Sequence, residues 1–273
     1  MSTHDNTINR DSQAYWNKRA TTFTRDATSE YERWLMDLLA LTEGEEVLDM
    51  GCATGTLAVP LARAGHRVHG CDFAEAMLAI LDERAAAEHL PITSHLLAWE
   101  DDWEAAGLGT DSVDVAFASR SLMAEAVGPF VAKLDSAARS RAAVVVPASL
   151  LPSCDPRLLT YLGRTAKRPQ NARKVLRALR TMGRIPTQAT TTTFRPMRFP
   201  SFDEARSDLR RLAGPEPFTA REQRLFDAYS AQHIVRRAAE SPSGETSQVW
   251  VLDYALSVTW VFIGWRTDGS PWG

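Results

Sequence analysis

The chain of 273 residues is poor in cysteine and net charge, and it contains no long apolar run. Its three cysteines, Cys52, Cys71 and Cys154, are too few and too scattered to predict a disulfide framework or a four-ligand zinc site. The longest apolar stretch, near residues 142–151, is interrupted by Pro147 and is too short to cross a bilayer. The polar N-terminus lacks the apolar core of a signal peptide. We therefore expect a cytoplasmic protein without a membrane span or a bound metal.

The charge balance argues against nucleic acid as the default partner. The 31 basic and 34 acidic residues give a net charge of −3, so the chain has no overall basic field. Hydrophobic residues make up 44% of the sequence and charged residues 24%, which is typical of a globular protein. We find no internal repeat and no low-complexity linker.

Short apolar segments alternate with helical patterns through the first half of the chain. This alternation predicts a parallel sheet covered on both faces. The predicted strands lie near residues 47–48, 67–71, 92–97, 113–118 and 142–146. Beyond Pro147 the alternation stops, and the sequence predicts helices over 151–184, 202–213 and 219–239, an edge strand over 190–199, and one or two strands over 248–265.

The strongest motif is a glycine-rich turn between a strand and a helix. It runs from Val47 to Gly55 and has Asp49 ahead of Gly51 and Gly55, and Asp72 follows at the end of the next strand. Glycines let the backbone pass close to a ligand, and the turn aims N–H groups at the edge where parallel sheets bind ligands. An acid in the position of Asp72 can accept both hydroxyls of a ribose. The motif predicts a cofactor that contains a nucleoside.

The spacing of the motif distinguishes between nucleoside cofactors. A dinucleotide-binding loop reads G-x-G-x-x-G, whereas three residues separate Gly51 from Gly55 here. A carboxylate at Asp49 would repel a diphosphate, but it suits the ammonium and sulfonium groups of S-adenosylmethionine. The motif resembles that of the class I S-adenosylmethionine-dependent methyltransferases, with a departure at Ala53, where many members carry glycine.

The resemblance extends over roughly residues 14–147 and implies a fold and a set of cofactor contacts. The implied fold is an α/β, Rossmann-like sheet of seven strands, mostly parallel with an antiparallel last strand, with helices on both faces and a helical cap inserted after the fifth strand. Asp49, Gly51 and Gly55 would surround the methionine part, Asp72 would hold the ribose, and Ser119 would lie near the transferred methyl. The remaining residues implied in cofactor binding are Tyr15 and Arg19 in a lid, Cys52, Ala53 and Thr54 in the turn, and Phe73, Met77, Trp99, Glu100 and Asp101 around the adenine.

Several of these residues also have purely structural interpretations. Asp72 could cap a helix, and Trp99 could simply fill the core. Glu100 and Asp101 could belong to a solvated loop. Cys52 fits a small buried filler.

On this basis the sequence divides into four segments. We expect an N-terminal lid over residues 1–30, an S-adenosylmethionine-binding core over 31–150, a basic helical cap over 151–240, and C-terminal strands over 241–273 that complete the core sheet.

Methyl transfer from a sulfonium requires orientation and desolvation more than a catalytic triad. We therefore assign no catalytic residue from sequence. The candidates for a general base are Glu125 and the histidines His66, His69, His89, His95 and His233, none of which lies in a motif that points it at a substrate.

One feature bears on the substrate: nine basic residues and no acidic residue lie between Arg157 and Arg184. They could present positive charge to a small anionic acceptor, or they could form a solvated face that pairs with acids of the core. The sequence thus favours a methyltransferase that modifies oxygen or nitrogen of a small molecule, as a monomer or homodimer. An RNA or protein methyltransferase, a nicotinamide-dependent oxidoreductase and a catalytically silent cofactor-binding protein remain alternatives.

Overall fold

The computed structural model describes residues 12–20, 29–122, 127–148, 153–165, 170–195, 197–240 and 246–272. These residues divide into two compact units, one within residues 1–146, 171–189 and 261–273, and the other within residues 147–170 and 190–260. Within the described ranges, no helix is long and apolar enough to span a membrane.

A seven-stranded sheet is the framework of the fold. Its strands are β1 (Glu46–Met50), β2 (Arg67–Asp72), β3 (Ile92–Leu96), β4 (Val113–Ser119), β5 (Ala138–Pro147), β6 (Thr187–Arg195) and β10 (Leu256–Arg266). The strand order is β3-β2-β1-β4-β5-β10-β6. Strands β1 to β5 pair in parallel, and β10 is antiparallel. The expected class of fold is confirmed.

Helices connect the strands of the first unit. They are α1 (Gln13–Arg19), α2 (Ser29–Leu39), α3 (Ala58–Arg63), α4 (Glu75–Glu88), α5 (Val127–Ala137) and α7 (Asn171–Thr181). Apolar residues of β1, β4, β5 and β10 form one core with α5 and α7. This packing brings the carboxyl ends of β1, β2 and β4 to one edge, where open α/β sheets bind ligands.

The second unit has its own core and a small antiparallel sheet. Strands β7 (Arg198–Phe199), β8 (Ile234–Glu240) and β9 (Thr246–Leu252) form that sheet in the order β7-β9-β8, and the helices are α6 (Pro156–Leu162), α8 (Phe202–Leu212) and α9 (Ala220–His233). Thr219 begins α9 in a capping box with Glu222, whose carboxylate also pairs with Arg164 at 2.6 Å.

The structure differs from the sequence-based prediction in several places after β5. Strand β6, within the predicted cap, joins the seven-stranded sheet, whereas β9, predicted to complete that sheet, pairs with β7 and β8 instead. The prediction includes α7 in the basic cap, but Val175 and Leu179 on its apolar face pack in the core with α5, so α7 belongs to the first unit. The helix predicted over 219–239 ends at His233. The residues that follow pair with β9 as strand β8, beginning at Ile234, because antiparallel pairing overrides the local pattern.

Candidate active site

The glycine-rich turn is built around the carbonyl of Cys71. The backbone N–H groups of Gly51 and Cys52 donate to this oxygen at 2.7 and 3.0 Å, which ties the turn after β1 to the end of β2. Gly51 has a φ of +81°, and a Cβ placed on it would lie 2.2 Å from the Cβ of Ser121. The Ser121 hydroxyl donates to the carbonyl of Met50 at 2.5 Å. Only glycine therefore fits at position 51.

Ala53 stands where many members of the resembled family carry glycine, and its backbone conformation shows how the turn accommodates alanine. Its φ is +49°, in the left-handed region that glycine adopts most easily. The Ala53 N–H donates to Oδ2 of Asp72 at 2.9 Å. The turn thus keeps the shape that a glycine would give it, at the cost of local strain.

Asp72 lies under the turn with both carboxylate oxygens engaged. Oδ2 accepts from Ala53, and Oδ1 accepts from the N–H of Ala74 at 2.9 Å, at the start of α4. Burial raises the pKa of Asp72, and the backbone N–H groups oppose that rise. The Oδ1 contact joins residues two positions apart and is a local turn ahead of α4, whose N-cap residue Ala74 has no side-chain cap. A carboxylate oxygen has two lone pairs, so these contacts leave acceptor sites for other donors.

Asp49 is the more perturbed of the two acids. Its side chain is 2% exposed, and burial, followed by the charge of Asp72, raises its pKa to about 8. The Asp49 carboxyl is therefore much harder to ionise than an ordinary aspartate. A buried carboxyl with this pKa is poised to ionise when a cation enters the site.

Two other polar groups of the turn are buried. Within the described part of the chain, the Thr54 hydroxyl is buried without a hydrogen-bond partner, whereas the Thr54 carbonyl accepts from Arg84. Burial, followed by the charges of Asp49 and Asp72, raises the pKa of Cys52, which keeps its thiol neutral. Cys52 is therefore a small packing residue in this state.

The predicted lid helix and adenine-binding residues meet beside Asp72. Met77 is buried with Ala74 and Ala20, and Trp16 of α1 packs on this cluster. The side chain of Asn17 accepts from the N–H of Ala76 at 3.0 Å. The Gln13 side chain donates to the carbonyl of Phe73 at 2.8 Å, and Tyr15 and Arg19 are half-buried on the same helix.

The acidic loop after β3 is held by contacts with α5 and by one hydrogen bond within the loop. Trp99 stacks on Phe130 at 5.1 Å, and its carbonyl and that of Asp101 accept from Lys133. Oδ2 of Asp101 accepts from the N–H of Ala98 at 2.7 Å. Trp99 thus packs against the core. Glu100 is exposed at the rim of a pocket that also contains Asp101 and Lys133.

Sequence reasoning missed the neighbours of Ser119. The Ser119 hydroxyl lies 2.6 Å from the hydroxyl of Tyr31, which is 1% exposed. The guanidinium of Arg120 stands over the Tyr31 ring, 4.4 Å from its centroid. Burial raises the pKa of Tyr31, and the charge of Arg120 opposes that rise. The helical periodicity of α2 predicts that Tyr31 is buried, but no local signal shows that it meets the end of β4.

Comparison with known proteins finds a family model that is similar to the region of this site. The model, described as a methyltransferase domain, matches residues 47–140, which include the turn, Asp72 and the whole of β4. This part of the chain is therefore similar to a methyltransferase domain.

Two curated relatives are similar to part of this chain. An uncharacterized protein of Haemophilus influenzae is 31% identical over 132 residues, which are 46% of this chain and 47% of the relative. Glycine N-methyltransferase of Oryctolagus cuniculus is 34% identical over 99 residues, which are 33% of this chain and 34% of that enzyme. The chain therefore spans about half or less of the length of these relatives.

A solved structure agrees with the fold over a longer range. It is the geranyl diphosphate C-methyltransferase of Streptomyces coelicolor A3(2), in complex with Mg²⁺, geranyl diphosphate and S-adenosylhomocysteine. The identity is 15%, the match covers 94% of this chain and 85% of that one, and the TM-score is 0.50. At this identity the likeness shows the fold alone.

The candidate bases lie in several different settings. His69 of the first unit joins His95 and Glu46 through ring-nitrogen contacts of 3.0 Å each. His66 faces the carbonyl of Glu45 at 3.1 Å, and His89 ends α4 with a left-handed backbone. In the second unit, Nδ1 of His233 lies 3.0 Å from Asp253. Glu125 is outside the described residues, which contain no cluster able to hold a metal ion.

Of the nine basic residues from Arg157 to Arg184, some form contacts within the protein and others are exposed. Arg164 pairs with Glu222, and Arg184 forms two 2.8 Å hydrogen bonds with Asp135. Arg157 stands over the ring of Tyr254. The exposed arginines of α7 are Arg173, Arg177 and Arg180, whereas Lys167 and Arg168 lie outside the described residues.

Proposed function

We propose that the protein is an S-adenosylmethionine-dependent methyltransferase that modifies oxygen or nitrogen of a small molecule. The observation that carries the proposal is the pair of buried acids at the glycine-rich turn, within a domain that matches the methyltransferase family. Burial makes Asp49 costly to ionise unless a cation lies beside it, and Asp72 is held by the backbone N–H groups of Ala53 and Ala74. Together the two acids fit a nucleoside that carries a positive charge. A loop that binds a nicotinamide dinucleotide would not require an acid in the position of Asp49.

The turn offers a direct test of whether this cofactor fits. Gly51 lets the turn lie close against Ser121, and the buried Thr54 hydroxyl has unused hydrogen-bonding capacity. Asp49 would face the methionine part, and Asp72 would accept from the ribose. Cys52, Ala53 and Gly55 would line the turn through their backbone.

The remaining predicted contacts extend this assignment as proposals. Phe73 and Met77 would flank the adenine, with Trp99, Glu100 and Asp101 at its edge. Ser119 would lie near the methyl group, and Tyr15 and Arg19 of α1 would cover the site.

Bound S-adenosylmethionine supplies a methyl group on a good leaving group, so the acceptor oxygen or nitrogen forms a bond to the methyl carbon as the carbon–sulfur bond breaks. The sulfonium becomes a neutral sulfide, and the acceptor proton passes to solvent or to a base. Asp49 and the turn contribute by holding the reacting centre in line and excluding water. We further propose that the acceptor is anionic, with the basic run after β5 as one source of attraction.

Calorimetric titration of the purified chain with S-adenosylhomocysteine, S-adenosylmethionine and NAD in parallel tests the proposal. We expect binding of the first two and none of NAD. Asp72→Ala should weaken binding of both by about tenfold or more through the lost ribose hydrogen bonds. Asp114→Ala, an acid on β4 that pairs with Arg139, is the matched control and should leave binding unchanged. Binding of NAD alone would overturn the assignment, and binding without turnover on any acceptor would favour a silent cofactor-binding protein.

A further inference from the structure

The turn after β4 holds an arginine in a strained backbone conformation. Arg120 has a φ of +62°, a region that bulky residues rarely adopt. Such strain persists only where surrounding contacts impose it, and it is concentrated at functional sites. Arg120 directly follows the carboxyl end of β4, at the ligand-binding edge of the sheet.

Contacts on both sides of Arg120 impose this conformation. Its N–H donates to the carbonyl of Val145 at 2.9 Å. Before it, Ser119 is joined to the buried hydroxyl of Tyr31, and after it, Ser121 is bonded to the carbonyl of Met50. Residues 119, 120 and 121 are thus each hydrogen-bonded to a different element, namely α2, β5 and β1.

The side chain of Arg120 is fixed as well. Its guanidinium lies 4.4 Å from the centroid of the Tyr31 ring, and this cation–π contact restricts the rotamers of a long side chain. The residue is half-buried, and partial burial strengthens any interaction with an opposite charge. A guanidinium is a planar set of donors whose geometry matches a carboxylate or phosphate.

The edge of the sheet formed by the carboxyl ends of its strands carries charges of both signs. Asp49 and Asp72 lie at the ends of β1 and β2, and Arg120 supplies a positive charge after β4. The acids suit the cationic cofactor of the proposed function. The positive charge at Arg120 suits a ligand of the opposite sign.

We propose that Arg120 positions the methyl acceptor by binding an anionic oxygen group of that molecule. This inference rests on the proposed methyltransferase function. It assigns the direct contact with the anion to one residue of the sheet edge, whereas the basic run after β5 would contribute only general attraction. Tyr31 is then a positioning residue that holds Arg120 in place.

The test measures anion binding to the complex with S-adenosylhomocysteine. Acetate and inorganic phosphate are titrated into this complex, with acetamide as the neutral counterpart of acetate. We expect acetate or phosphate to bind and acetamide not to bind. Arg120→Gln should lower the anion affinity by about tenfold or more, and Arg120→Lys should lose less because it keeps the charge. Arg63→Gln, which breaks the exposed ion pair with Glu88, is the control and should change neither affinity.

The affinity for S-adenosylhomocysteine separates the possible outcomes. It reports folding of each variant, and it should stay within about twofold of the wild type in Arg120→Gln if the arginine contacts only the acceptor. An equal loss of cofactor affinity would show that Arg120 holds the cofactor and would overturn the proposal. So would unchanged anion affinity in Arg120→Gln, or a larger loss in Arg177→Gln on α7. If the wild type binds S-adenosylhomocysteine but no anion, this inference alone fails, whereas no binding of S-adenosylhomocysteine removes the proposed function and this inference with it.

Discussion

Replacing Asp49 by asparagine should stabilise the cofactor-free protein near neutral pH. The folded protein holds the Asp49 carboxyl at a pKa of about 8, whereas the reference value is 3.8. Between these two values the native state binds one more proton than the unfolded state. Its free energy of unfolding therefore falls as pH rises through this window. Asparagine has nearly the same shape and no such proton.

The size of the effect follows from the two pKa values. Between pH 3.8 and pH 7 the free energy of unfolding of the wild type falls by about 4 kcal/mol, at 1.36 kcal/mol per pH unit. The asparagine amide must find hydrogen-bond partners in a buried place, and this requirement reduces the stability gained by about 1–3 kcal/mol. We expect a net increase in the free energy of unfolding of about 2 kcal/mol at pH 7.

Urea unfolding across the pH range measures this difference. The advantage of Asp49→Asn should be absent below about pH 4, grow up to about pH 8, and then level off. Asp114→Asn is the control of opposite sign, because the hydrogen bond from Arg139 lowers the pKa of Asp114. This control should lose less than about 1 kcal/mol at pH 7, as a partly exposed ion pair does. An Asp49→Asn advantage that does not change with pH, or a variant less stable than the wild type at pH 7, would refute the reasoning.

Three further predictions concern the same turn. Binding of S-adenosylmethionine at pH 7 should release up to about one proton from Asp49, measured by calorimetry in buffers of different ionisation enthalpy, and Asp49→Asn should abolish this release. Gly51→Ala should cost more than Gly44→Ala in urea unfolding, because both glycines have φ near +80° but only Gly51 would bring a Cβ against Ser121; equal costs would contradict the steric argument. Ala53→Gly should raise the free energy of unfolding by about 0.5 kcal/mol, since relief of the left-handed strain exceeds the added freedom of the unfolded chain, and a loss of stability would count against strain at this position.

The glycine-rich turn was predictable because its encoding is local. A strand, a turn and a helix follow one another, and the hydrogen bond from Ala53 to Asp72 spans only 19 positions. The contact between Tyr31 and Ser119 spans 88 positions and depends on how α2 packs against the sheet. Helical periodicity shows which face of α2 is buried, but it carries no information about what that face meets.

The region after β5 shows a different limit of sequence reasoning. Its density of positive charge favours an exposed cap helix. The apolar pair Val175 and Leu179, whose spacing of four residues marks the buried face of α7, indicates the opposite. The boundary at Ile234 had no glycine or proline to mark it. There the partner strand β9, not the local sequence, ends the helix and begins β8.

Under the proposed function, the raised pKa of Asp49 would let the site distinguish cofactor from product. A cation beside Asp49 would lower its pKa, so at pH 7 the carboxyl would ionise and hold the sulfonium. After methyl transfer the sulfur would be neutral and this part of the attraction would be lost. Asp49 would then return toward its pKa of about 8 and take up a proton. We therefore expect the preference for S-adenosylmethionine over S-adenosylhomocysteine to shrink as pH falls and Asp49 stays protonated. A preference that is constant with pH would mean that another group recognises the sulfonium.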